Sequence, residues 1–139
     1  MSRRYARWCC GLWLTSLGWA THQRAIVWQS DWALWHYATI QSPRKPRPWV
    51  NLGQAEMQIG HFGPAATDFA WSMRLAQNPQ RSWSERRYGW AYGETDLAVL
   101  AWWMEDHPTA CLYLQHVLHN AADFVPAQQL SGQLGCSSP

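Results

Sequence analysis

Three histidines and two carboxylates crowd one part of the chain: Glu105, Asp106, His107, His116 and His119. Imidazoles and carboxylates are the side chains that hold transition metals or move protons near neutral pH. His116 and His119, three residues apart, share a helical face. A zinc site wants better-defined ligand spacing than these residues give. Glu105 and Asp106, adjacent at a helix end, read as solvated turn residues rather than an acid–base pair. The histidines read as an ordinary polar face. Of the four cysteines, Cys9 and Cys10 lie in an N-terminal apolar run, so no disulfide framework can be read. Cys111 reads as a small helix-packing residue, and Cys136 as a thiol in a mobile tail, able to pair between molecules outside the cytoplasm. The chain has no glycine-rich phosphate loop, nucleophile elbow or H-E-x-x-H pair. No catalytic residue, cofactor or metal ligand is expected, and the chain reads as a non-enzyme.

The elements that carry these residues read as helices throughout. At 139 residues the chain has room for one domain and an end segment. A net charge of +2, with basic residues scattered apart from Arg3-Arg4-Arg7 and Arg44-Lys45-Arg47, is too small to imply nucleic acid. Twelve tryptophans in so short a chain point to an aromatic-rich core, a membrane-interface belt, or both. Trp28, Trp35, Trp49 and Trp71 recur at helical-hairpin spacing and read mostly as core. Trp90, Tyr92, Trp102 and Trp103 are harder to bury together and are candidates to face a membrane or a partner.

Residues 1–7 are basic and 8–20 are uncharged and largely apolar. This pattern fits a secretory signal cleaved after Ala20. It also fits a membrane anchor over residues 5–21, in a thin or locally thinned bilayer, or a buried amphipathic helix. The first two place residues beyond Arg24 outside the cytoplasm; the third leaves a cytoplasmic location open. Residues 1–23 are therefore set apart as signal or anchor.

The best-defined pattern lies in residues 46–79. One helix runs from about Pro48 to Ile59, with Gly60 as its left-handed terminator. A second, with Pro64 in its first turn, runs to about Leu75 and stops before Asn78-Pro79. The spacing Trp49-x2-Leu52-Gly53, then Gly60-x-Phe62-x2-Ala65-x3-Phe69 and a late proline, resembles the tetratricopeptide repeat. Small residues (Gly53, Ala65) let the helices approach, while Trp49, Phe62 and Phe69 fill the gap between hairpins. The chain departs from the pattern at Glu56, where tyrosine is usual, at Ser72, where alanine is usual, and at Pro79, two residues late. Trp28, Trp35 and Ala38 each precede Phe62, Phe69 and Ser72 by 34 residues, the repeat's own period. Residues 24–45 thus read as a half repeat, with a helix over 28–41 that starts near Ser30 or Asp31.

Residues 80–122 read as an extended, divergent repeat. Ser82-x-x-Glu85 has capping-box spacing and opens a helix to about Met104, weakened by Gly89 and Gly93, each by about 1 kcal/mol relative to alanine. A turn at 105–108 leads to a helix over 109–119, a capping helix follows over 124–134, and 135–139 form a flexible tail. The expected fold is all-α, a short tetratricopeptide-type solenoid preceded by an N-terminal apolar helix, with 24–134 as the helical domain.

Residues 15–80 also resemble the junction in bacterial polytopic membrane proteins with C-terminal tetratricopeptide domains, including the protein O-mannosyltransferase-like group. The resemblance is carried by Arg24, Trp28, Leu34-Trp35, Ser42-Pro43, Lys45, Arg47 and Asn51-Leu52-Gly53, with Ala25 in place of the usual asparagine. It implies location and architecture, since that group's catalytic segments lie outside the matched region. The repeat resemblance implies a protein or peptide ligand in a concave groove, lined here by Arg47, Val50, Gln54, Met57 and Gln58. Truncating Gln54 should then leave stability within about 0.5 kcal/mol. The expected function is a protein-interaction scaffold, exported or membrane-tethered. The alternative is an accessory part of a membrane glycosyltransferase that docks acceptor proteins.

Overall fold

Capping residues divide the chain where the turn chemistry demands. The computed structural model describes residues 12–22, 25 and 28–136, all helix, turn or irregular chain with no strand among them. The expected all-α class is therefore what the structure shows. Helix α1 (Asp31–Gln41) is capped by Ser30, whose hydroxyl accepts from the Ala33 N–H at 3.1 Å. It starts at Asp31, where the sequence puts its start, and Trp28, inside the expected span of 28–41, lies outside the helix, exposed.

Helix α2 (Pro46–Gln58) begins with two prolines in its first turn, where a missing N–H leaves no bond unmade. Gly60 follows at φ +80°, a left-handed conformation that costs glycine little. Helix α3 (Phe62–Ala76) then turns back along α2. Gly53 sits directly under the ring of Phe69: a Cβ there would lie 2.6 Å from Phe69 Cε1. The Trp-x2-Leu-Gly and Ala-x3-Phe elements thus meet at one contact, with Phe69 and Ala65 fully buried.

Residues 83–103 form one uninterrupted helical run, α4 (Trp83–Arg87), a π-helical turn (Tyr88–Tyr92) and α5 (Gly93–Trp103), called below the long helix. The Ser82 hydroxyl accepts from the Glu85 N–H at 3.3 Å, as the capping spacing requires. The two glycines that weaken this helix have a reason. A Cβ on Gly89 would lie 2.3 Å from Pro46 Cβ, and one on Gly93 would lie 2.8 Å from Ser72 Oγ. Four residues apart, they open one face of the long helix to α2 and α3. Ser72 belongs to the same contact, its Oγ 2.8 Å from Phe69 O and 3.0 Å from Gly89 O. A π turn leaves backbone carbonyls out of the regular ladder, and this buried hydroxyl meets one of them.

Helix α6 (His107–Asn120) is capped by Asp106, whose carboxylate accepts from the Thr109 N–H. Pro108, expected in the turn, lies inside its first turn instead. Helix α7 (Val125–Leu134) packs on α6. Each helix packs chiefly on its neighbours in sequence, while α2 and the long helix also touch one another. One core cluster joins Met57, Ala65, Phe69 and Leu100; another joins Ala91, Ala98, Leu114, Val117, Phe124 and Ala127.

Two expectations need correction. Cys111 and Cys136 are joined in a disulfide, with Cα atoms 5.4 Å apart. Cys111 is therefore more than a packing residue, Cys136 is not a partner for another molecule, and the chain beyond Gly135 is tied down at least to Cys136. The tryptophans are not core: none among the described residues is fully buried, and Trp28 and Trp71 are 71% and 39% exposed. A stack one hairpin thick has little depth, and its close contacts are occupied by glycine, alanine and serine. Trp35 and Trp49 are half-buried, and Trp49 leans edge-on against Trp71.

Residues 12–22 are helical, with Leu12, Trp13, Leu14, Leu17 and Trp19 exposed. The basic start and the first apolar residues through Gly11 lie outside the described residues, as do Arg24 and residues 137–139. Among the described residues, no helix is long and apolar enough to cross a membrane.

Candidate functional site

Along α2, Arg47, Asn51, Gln54 and Gln58 follow one another at steps of four, three and four, and so form one stripe. Along the long helix, Tyr88, Tyr92 and Asp96 repeat every four residues. The structure lays these stripes side by side. The Arg47 guanidinium stands over the Tyr88 ring, 5.3 Å from its centroid. The Tyr88 hydroxyl is 3.2 Å from Asn51 Oδ1, and Gln54 Nε2 donates to Asp96 Oδ2 at 2.8 Å. The Tyr88 and Tyr92 rings lie 4.4 Å apart along the seam, tilted by 33°, and Tyr92 meets Phe124 edge-on beyond it.

The five residues expected to line a groove divide here. Arg47 and Gln58 are exposed and Gln54 is half-buried, all on the seam stripe. Val50 is fully buried and Met57 is 8% exposed, packed with Phe69 and Leu100. Their side chains belong to the core between helices, so the accessible polar surface on α2 is Arg47, Gln54 and Gln58. The partners across the seam, Tyr88, Tyr92 and Asp96, are missing from the sequence expectation. Their i, i+4 spacing was visible, but nothing in the sequence said which face of a glycine-interrupted helix would meet α2.

The seam's electrostatics follow from burial. Burial raises the Asp96 carboxyl to about 7, and the hydrogen bond from Gln54 pulls the other way. Near neutral pH this group therefore both accepts hydrogen bonds and, when protonated, donates them. Burial also raises the Tyr88 phenol, opposed by the Arg47 charge, so Tyr88 stays a neutral donor. The seam thus offers a fixed cation at one end, amides in the middle and a carboxyl at the far end. Gln54 and Asp96 are bound to each other, as are Asn51 and Tyr88.

The histidine region resolves differently. His116 Nδ1 lies 2.6 Å from Glu94 Oε1, a contact between α6 and the long helix that sequence spacing did not reveal. His107 stacks on Trp102 at 3.9 Å. Among the described residues, no three His, Cys, Asp or Glu side chains are grouped closely enough to hold a metal. Comparison with protein-family models, characterised proteins and solved structures finds no match to this chain.

Proposed function

We propose that this chain is a non-enzymatic protein-interaction module of tetratricopeptide-like build, held outside the cytoplasm or at a membrane surface. The observation that carries the proposal is the seam between α2 and the long helix, where Arg47, Asn51, Gln54, Tyr88 and Asp96 form one polar row. Two successive hairpins, α2–α3 and the long helix with α6, preceded by α1 and closed by α7, fit a short solenoid. In such a solenoid the first helices of each hairpin present the binding face, here α2 and the long helix. A polypeptide in extended conformation is the ligand this row suits, with an acidic group at the Arg47 end.

The location rests on separate support. The Cys111–Cys136 disulfide suits an oxidising compartment. The exposed apolar helical residues 12–22 turn the hydroxyls of Ser16 and Thr21 back onto Trp13 O and Leu17 O, each at 2.8 Å. This self-satisfaction suits a surface of low polarity.

The test is selection from a library of extended peptides on the intact chain, followed by measurement on Arg47→Glu. The proposal expects acidic peptides whose affinity falls at least tenfold on charge reversal. Recovery of no binding peptide, or of peptides indifferent to Arg47→Glu, overturns it.

A further inference from the structure

On the far side of α2 from the seam, two carboxylates face a hollow between α1 and the α2–α3 hairpin. Glu56 is two residues from Gln54, about 200° around the helix. Glu56 is 8% exposed and Asp68, from α3, is 9% exposed. Glu56 Oε2 and Asp68 Oδ2 are fully covered and have no hydrogen-bond partner among the described residues. Burial and the neighbouring Glu56 charge raise Asp68 to about 7. Buried carboxylates without partners are costly, and here two share one place.

The hollow they line measures about 450 Å³. Its walls are Ile40, Pro43, Leu52 and Trp49, with Thr39 and His36 from α1. Trp49 is fixed as a wall, since its Nε1 donates to Pro43 O at 2.9 Å. The Thr39 hydroxyl donates to His36 O at 2.7 Å and keeps its lone pairs free to accept. No Lys or Arg among the described residues lines the hollow. Asp68 also borders a neighbouring hollow containing Arg74, whose guanidinium lies over Trp71.

We propose that this hollow is a socket for an alkylammonium group, the side chain of a lysine on a partner polypeptide. The chemistry matches part by part. An ammonium has three donors and accepts nothing, and the socket presents two carboxylates and the Thr39 oxygen. The four-carbon stem of lysine needs apolar walls, which Ile40, Leu52 and the Trp49 ring supply. A bare metal ion would leave those walls unused. The proposal rests on the interaction reading only for the source of the ammonium. The socket chemistry stands apart from the seam and is tested apart from it.

The probe is n-butylammonium, titrated into the intact chain and followed by the Trp49 indole and neighbouring amide resonances, with n-butanol as its uncharged twin. Saturable shifts centred on Trp49, Thr39 and Glu56 are expected with the ammonium and not with the alcohol. Glu56→Gln and Asp68→Asn keep the shape and should each weaken the effect at least tenfold, while remaining folded because they relieve a buried charge. Arg47→Glu should leave it unchanged, so failure of the seam reading cannot mimic failure here. A peptide with one central lysine should compete with butylammonium, and its Nε-acetylated form should not. Absence of shifts, shifts centred elsewhere, equal response to the alcohol, or butylammonium affinity unchanged in both carboxylate variants overturns the socket. A lysine peptide that fails to compete overturns its assignment to a partner's lysine.

Discussion

Gly53 and Gly60 stand seven residues apart and are glycine for different reasons. Gly53 lies against a fully buried ring, so even a methyl group there meets Phe69 at 2.6 Å. Gly60 has open space around its Cβ position and only its positive φ to satisfy. Gly53→Ala should therefore cost about 1–3 kcal/mol through overpacking, and Gly60→Ala about 1 kcal/mol through backbone strain. Denaturant midpoints of both variants check this, and a Gly53→Ala protein as stable as wild type would remove the central hairpin contact from the account. Gln54 corrects the sequence reading at the same scale: its hydrogen bond to Asp96 makes its truncation more than a surface change. Asp96 itself gives a pH signature. Its pKa rises from 3.8 to about 7 on folding, so between those values the folded chain holds a proton that the unfolded chain has lost. Stability from this group is present at low pH and is lost as pH rises to about 7, with a slope of at most about 1.4 kcal/mol per pH unit. Asp96→Asn should flatten that fall; unfolding free energies measured at pH 5 and pH 7.5 would show it, and an unchanged slope would contradict the burial of Asp96.

At the scale of elements, the sequence was most legible where turn chemistry and periodicity agreed. Ser30, Gly60 and Ser82 mark helix ends that the structure shows within a few residues. The long helix was legible in extent and illegible in form. Gly89 and Gly93 read as weak points, because their use depends on Pro46 and Ser72, more than fifteen residues away in the chain. Ser72 likewise read as a departure from the repeat, when its hydroxyl meets the carbonyl of the π turn. The disulfide was unreadable for a related reason: α6 and α7 must pack before Cys111 and Cys136 come within bonding distance. It closes a 25-residue separation, which corresponds to about 3.5 kcal/mol of stability on chain-entropy grounds. Reduction should lower the unfolding free energy by about that much and should expose α7 amides to exchange before those of α2 and α3. Equal exchange in α7 with and without reductant would contradict the tie.

For the whole molecule, the arrangement of helices is the feature that gives the seam its meaning. Neighbour-on-neighbour packing leaves every tryptophan among the described residues at least partly exposed, and the close contacts fall to small residues. The same packing brings α2 and the long helix together along their polar stripes. The class of fold was readable from periodicity alone, whereas the face was only half readable: Val50 and Met57 satisfy helical spacing as well as Gln54 does, and only packing decides that they turn inward. The most direct test of the account is a residue-by-residue map of amide shifts as a selected acidic peptide binds the intact chain. Changes should cluster on Arg47, Asn51, Gln54 and Gln58 of α2 and on Tyr88, Tyr92 and Asp96 of the long helix. Changes clustered instead on α7, or on the outer face of α3 around Trp71 and Arg74, would contradict it.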